Sequence, residues 1–109
     1  MAWVVELLNA HVRDEPEASS ADIRTRFRRI VELIQDHGLE QMREPHVKHL
    51  EGRLWEMRMK GKGVIARAIY VTTSGRRVVV VRLFVKKTRK TPRREIRLAL
   101  ERAKEVNEQ

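Results

Sequence analysis

Apolar residues first gather at Trp3, Val4, Val5, Leu7 and Leu8, a short run of strand formers. Residues 9–15 leave room for a turn or two of helix before Pro16, which cannot sit inside one. Ser19 or Ser20 with Asp22 forms a capping signal, and Ile23, Phe27, Ile30, Val31 and Ile34 follow at the spacing i, i+4, i+7, i+8, i+11. That spacing predicts the clearest helix of the chain, stopped by Gly38 after His37. Residues 39–52 read as a connecting segment, broken by Pro45 and closed by Gly52. From 53 to 60 the pattern alternates, with Trp55, Met57 and Met59 on one face and Leu54, Glu56, Arg58 and Lys60 on the other. Gly61, Lys62 and Gly63 supply a turn, residues 64–73 a third strand, and Ser74 with Gly75 a tight hairpin into a fourth. The fourth strand contains Val78, Val79, Val80 and Val81, then Leu83, Phe84 and Val85. Such a run is too continuous to leave one face in water and reads as a central strand covered on both sides. Pro92 suits the first turn of a last helix, whose apolar positions are Ile96, Leu98, Ala99, Leu100, Ala103 and Val106.

The order strand, helix, three strands, helix predicts an α+β fold in one domain, residues 1–109. Three successive strands joined by short turns must be antiparallel. The expected architecture is therefore N-terminal helices and a C-terminal helix packed on one face of a mainly antiparallel four-stranded sheet. The opposite face is expected to stay open for a ligand.

Charge changes this picture from a scaffold to a site. Residues 1–52 carry 7 Lys and Arg against 10 Asp and Glu, a net of −3, whereas residues 53–109 carry 17 against 5, a net of +12. A field so one-sided favours nucleic acid over an anionic membrane, because no segment has the pattern of an interfacial helix. Lys86, Lys87, Arg89 and Lys90 crowd the end of the fourth strand, where mutual repulsion costs stability unless a polyanion offsets it. A solvated basic loop is the plainer reading of the same run. The chain has no cysteine, which excludes disulfides and thiolate chemistry and suits a reducing cytoplasm.

Most enzyme classes lack their residues here. No phosphate-binding glycine loop and no spaced Ser, His and Asp grouping exists; His46 and His49 lie three apart near His37 without a carboxylate cluster to complete a metal shell. No metal or other cofactor is expected. Cations and one phenol remain: Arg58, Arg67, Tyr70, Lys86, Lys87 and Lys90. That set suits metal-free RNA cleavage, in which the ribose 2′-oxygen attacks the adjacent phosphate and charge builds on the phosphate oxygens. Arginines already in place stabilise that charge, and a lysine crowded by other cations has its pKa lowered enough to take a proton. Lys48, Lys60, Lys62, Arg89, Arg93 and Arg94 would contact the RNA or ribosome around them. The competing reading makes Arg58 and Arg67 cross-strand partners of Glu56, and Tyr70 a core residue. Strict alternation also groups Arg67 with Ile65 and Ile69, away from Tyr70.

Three stretches together resemble a known family: KHLEGRLWEMR at 48–58, RAIY at 67–70 and FVKKTRKTP at 84–92, followed by Glu95, Ile96 and Ala99. They are similar to the phage-derived Gp49-like, or HigB-like, branch of the RelE/ParE toxin superfamily. The resemblance implies a RelE-like fold and a toxin of a type II toxin–antitoxin pair that cuts mRNA, commonly in the ribosomal A site. It also implies a partner, a helix-turn-helix (Xre-like) antitoxin encoded beside it, and places the working groups at Arg58, Arg67, Tyr70, Lys86, Lys87 and Lys90. Two positions depart from the pattern: Arg89 stands where Gln is usual, and Pro16 interrupts the usual first helix. The same superfamily contains gyrase poisons, and a non-catalytic RNA or ribosome binder would need only the charge, so three activities stay open. Aromatic residues make up only 5% of the chain, which argues against tight capture of isolated single strands and for a ribosome presenting the substrate.

Overall fold

A computed structural model describes residues 3–13, 21–39, 47–60, 65–86 and 90–106. The elements are β1 (Val4–Leu7), α1 (Ala10–Arg13), α2 (Ala21–His37), β2 (Val47–Glu51), β3 (Leu54–Lys60), β4 (Ile65–Thr73), β5 (Arg77–Lys86) and α3 (Arg93–Ala103). Pro16, the capping serines 19 and 20, Pro45, His46 and the turn at 61–63 lie outside the described residues. The sheet runs β1-β5-β4-β3-β2. It therefore has five strands where four are expected, and it is mixed: β1 lies parallel to β5, while the other three pairings are antiparallel.

The additional strand is β2, in the segment read as a connection. Its sequence, VKHLE, has no clean alternation, because as an edge strand it is held by backbone pairing to β3 more than by a buried face. The short hairpin into β3 turns at Gly52, whose φ of 55° lies in the region that favours glycine. His49 Nε2 donates to the Gly52 carbonyl at 2.9 Å, and its ring lies 5.0 Å from that of Trp55.

α1 and α2 lie on one face of the sheet and α3 on the other. α2 stops where Gly38, at φ 87°, returns its N–H to the Ile34 carbonyl. Its Ile23, Ile30 and Ile34 pack on Met57, Met59, Ala68, Tyr70, Val78, Val80 and Leu83. On the other side α3 places Ala99 and Ala103 over Leu54, Ile69, Val71, Val79, Val81 and Phe84. The sheet residues of the two clusters alternate along each strand, so they are its two faces. This corrects the expectation of one covered and one open face. The valine run of β5 decides it, since a strand apolar on both sides needs cover on both.

One irregularity sets which residues reach which face. Ile69 pairs with Arg82 but Tyr70 pairs with Val80, so Val81 is the extra residue of a β-bulge. Its carbonyl accepts a hydrogen bond from Arg102 Nη1 of α3 at 2.7 Å. At the same C-terminal end of α3, Arg53 Nη1 donates to the carbonyl of Ala103, which also accepts the Val106 N–H, and to the carbonyl of Val106 just beyond the helix.

Candidate nucleic-acid interface

The α3 face is apolar at one end and charged at the other. Moving along the strands toward the ends of β3 and β5, the first charged row is Lys48, Glu56, Ile69 and Arg82 on β2, β3, β4 and β5. The next is Arg58, Arg67 and Phe84, and beyond it Lys60, Ile65 and Lys86. Arg58 and Arg67 are thus direct cross-strand neighbours of like charge, an arrangement that destabilises a sheet.

Arg67 and Glu56 are both buried, with side chains 4% and 3% exposed, and Arg67 Nε stands 3.1 Å from Glu56 Oε1. The Nε–H is not aligned for a hydrogen bond, and neither it nor Nη1 has a hydrogen-bond acceptor among the described residues. Burial lowers the pKa of this guanidinium, Glu56 counteracts, and the charge of Arg58 lowers it further. The other oxygen of Glu56, Oε2, accepts the hydroxyl of Thr91. One carboxylate therefore joins the arginine beneath to the segment leading into α3.

Two further ion pairs fix the start of α3 on this end of the sheet. Arg82 grips Glu95 with both Nε (2.8 Å) and Nη2 (3.2 Å), and its Cζ lies 5.6 Å from the centre of the Phe84 ring. Arg93 makes a two-pronged contact to Glu51 at 2.5 and 3.2 Å. That exposed pair holds the Glu51 carboxyl below its usual range through the Arg93 hydrogen bond and raises Arg93 in turn. Arg93 and Arg94 stand in the first turn of α3, where the helix dipole disfavours cations, and no side chain caps it.

The sequence-predicted residues divide into groups. Arg58, Lys60 and Arg67 share one face and one end of the sheet, with Lys86 at the matching register position of β5. Lys90 and Arg94 are exposed at the approach to α3 and in its first turn. Lys48 is exposed in the row of Glu56. Lys62, Lys87 and Arg89 lie outside the described residues. Tyr70 is separated from all of them: it is 1% exposed on the α2 face, and burial pushes its hydroxyl well above the usual phenol range. Among the described residues no group of three or more His, Asp or Glu side chains is placed to hold a metal ion. No helix of these residues is long and apolar enough to cross a membrane. Sequence reading missed Arg82, Glu95 and Thr91. Of these, Glu95 carried a signal, as an acid among apolar positions in the first turn of a helix otherwise opened by arginines.

A small α+β protein with an unbalanced cationic sheet end is the class that this geometry defines. The model of the phage-derived Gp49-like protein family matches residues 14–104, and the chain belongs to that family, in which toxins of toxin–antitoxin pairs are common. No curated protein matches the chain.

Proposed function

We propose that this protein is the toxin of a type II toxin–antitoxin pair and acts as a metal-independent endoribonuclease on mRNA, with the ribosomal A site as the place of cleavage. The observation that carries the reading is the Arg58–Arg67 pair, two cations side by side, one of them a buried guanidinium whose Nε and Nη1 have no hydrogen-bond acceptor among the described residues. A phosphate at this end of the sheet offsets that repulsion and supplies an anion, which neither Ile65 nor Phe84 can do. Arg58, half-buried, makes the direct contact with the phosphate oxygens. Arg67 adds charge from beneath, oriented by Glu56. Lys86, Lys87 and Lys90 serve as proton carriers and further cations for the attack of the 2′-oxygen on the adjacent phosphate. Lys60, Lys62, Lys48, Arg89, Arg93 and Arg94 track the flanking backbone. Tyr70 has no part in it.

The test is to add the purified chain to ribosomes stalled on a defined mRNA and to map new 5′ ends, with the same RNA free as control. Discrete cuts at the A-site codon are expected, and Arg58→Ala is expected to lower the cleavage rate by about 10²–10³-fold while most RNA affinity remains. Burial of Arg67 and Tyr70 favours a second reading, a non-catalytic RNA or ribosome binder. In that case no cuts appear, and substitution of each exposed cation weakens binding by a similar small step and reduces the salt slope by about one phosphate. Absence of both cutting and RNA binding would move the target to gyrase, with a supercoiling assay as the next measurement.

A further inference from the structure

Outside the cationic end, the sheet exposes an aromatic pair at its β2 edge. Val47, His49, Trp55 and Met57 share the α2 face by register, and Trp55 stands directly across from Tyr70. Tyr70 and Met57 are buried, whereas Trp55 is 39% exposed and, among the described residues, packs into neither apolar cluster. A single exposed apolar side chain is ordinary; an exposed aromatic pair held in a fixed orientation is not. The His49 ring is pinned by its Nε2 donating to the Gly52 carbonyl at 2.9 Å, and it meets Trp55 at 5.0 Å with the planes inclined by 57°. Tilted packing of this kind braces the indole while leaving it accessible to a further flat ring. Cations stand close by. Lys48 is exposed next to His49 on the other face of β2, and Arg58 lies three residues along β3 from Trp55, ~10 Å. Glu51, the exposed acid of this hairpin, is already taken up by Arg93.

We propose that His49 and Trp55 form a stacking platform for one unpaired base of the RNA, whose backbone passes Lys48 as it rounds the β2 edge from the Arg58 and Arg67 end. β2 is the outermost strand, so a single strand's width separates the two faces there. That the ligand is RNA rests on the proposed nuclease reading, to which the platform adds a base contact beside the phosphate contacts. An indole accepts any base through its π-face, and Lys48 supplies the charge that the same strand's phosphates need. An apolar side chain of a protein would match the ring but leave that charge without an anion. One platform grips one base, in keeping with a chain of only 5% aromatic residues.

The experiment uses the full chain carrying Trp3→Phe, which makes Trp55 its only tryptophan. Its emission is followed during titration with a short single-stranded RNA whose 2′-oxygens are methylated, so that it cannot be cut by 2′-oxygen attack. Saturable quenching is expected, and an abasic strand of the same length should bind about tenfold more weakly or worse, without quenching. Trp55→Leu keeps apolar bulk without a π-face and should lose affinity to a similar extent, while Trp55→Phe recovers most of it. The salt slope of the leucine variant should match that of its parent, since a base contact releases no counterion. Binding without quenching, or equal affinity for the intact and abasic strands, would overturn the platform, and A-site cleavage by the same protein would leave the nuclease reading standing. Quenching and base-dependent affinity without cuts on the ribosome would keep the platform and remove the nuclease. Absence of binding to either strand would overturn the platform whatever the cleavage assay reports. Should Trp55→Leu fail to fold, quenching and the abasic comparison decide the matter on a chain that retains Trp55.

Discussion

The two faces of one sheet are held by different physics. Under α2 the contacts are apolar, Met57, Met59, Ala66, Ala68 and Tyr70 against Ile23, Ile30 and Ile34, and burial of surface is enough to hold them. Under α3 the apolar cluster ends at Phe84, and the remaining grip comes from carboxylates: Glu56 on Thr91 and Arg67, Glu95 on Arg82, Glu51 on Arg93. Apolar packing tolerates rearrangement if volume is kept, whereas a buried charge tolerates none of its partners being removed. The face built from charge is the one that carries the candidate site, since only fixed carboxylates can hold a set of repelling cations in place.

The largest effect should come from Glu56→Ala, which strands Arg67 as a buried charge at a cost of about 3–5 kcal/mol. Urea unfolding measures it, and the paired change Glu56→Leu with Arg67→Met should recover most of the loss while removing activity, because well-packed apolar pairs replace buried ion pairs at little cost. No recovery in the double variant would mean that the charges, and not the packing, stabilise this face. On the α2 face the sharpest probe is pH. Burial raises the Tyr70 pKa, so the folded chain keeps a proton above about pH 10 that the unfolded chain releases. Its contribution is therefore constant below about pH 10 and is lost as pH rises further, by up to about 1.4 kcal/mol per pH unit. Tyr70→Phe should flatten that part of the stability profile relative to wild type and leave RNA cleavage unchanged; loss of cleavage would return Tyr70 to the site. The smallest effect is expected at Arg93→Ala. Its pair with Glu51 is exposed, so the urea midpoint should stay where it is in high salt, and a shift there would show that the pair contributes more than surface pairs do.

Much of this fold was legible because periodicity reports faces. The alternation of β3 and the stripe of α2 follow the residues that the sequence pattern picks out, and the valine run of β5 already demanded two-sided cover. That demand conflicted with helices on a single face, and strand burial was the stronger signal. β2 stayed hidden because an edge strand needs little apolar content, and β1's parallel pairing because four residues carry no mark of direction. At the site, alternation grouped Arg58 with Glu56 and Lys60 and set Arg67 apart from Tyr70, whereas the register that makes Arg58 and Arg67 neighbours comes from the pairing of β3 with β4. Alternation could not show that Glu56 would hold both an arginine and a threonine 35 positions further on. Such a contact depends on where α3 lands, which no local pattern encodes.

The bulge at Val81 makes the fold sensitive to parity. In strict alternation from Val80, Arg82 would face α2 among its isoleucines and Leu83 would face α3; one additional residue exchanges these assignments and delivers Arg82 and Phe84 to the charged face. Because the four residues from 78 to 81 are all valine, loss of any one of them yields the same polypeptide. A codon deletion there would leave composition and hydropathy almost untouched, yet either the bulge disappears or the distal half of β5 turns over. At this run the number of residues therefore decides which side chains face which layer as much as their kind does.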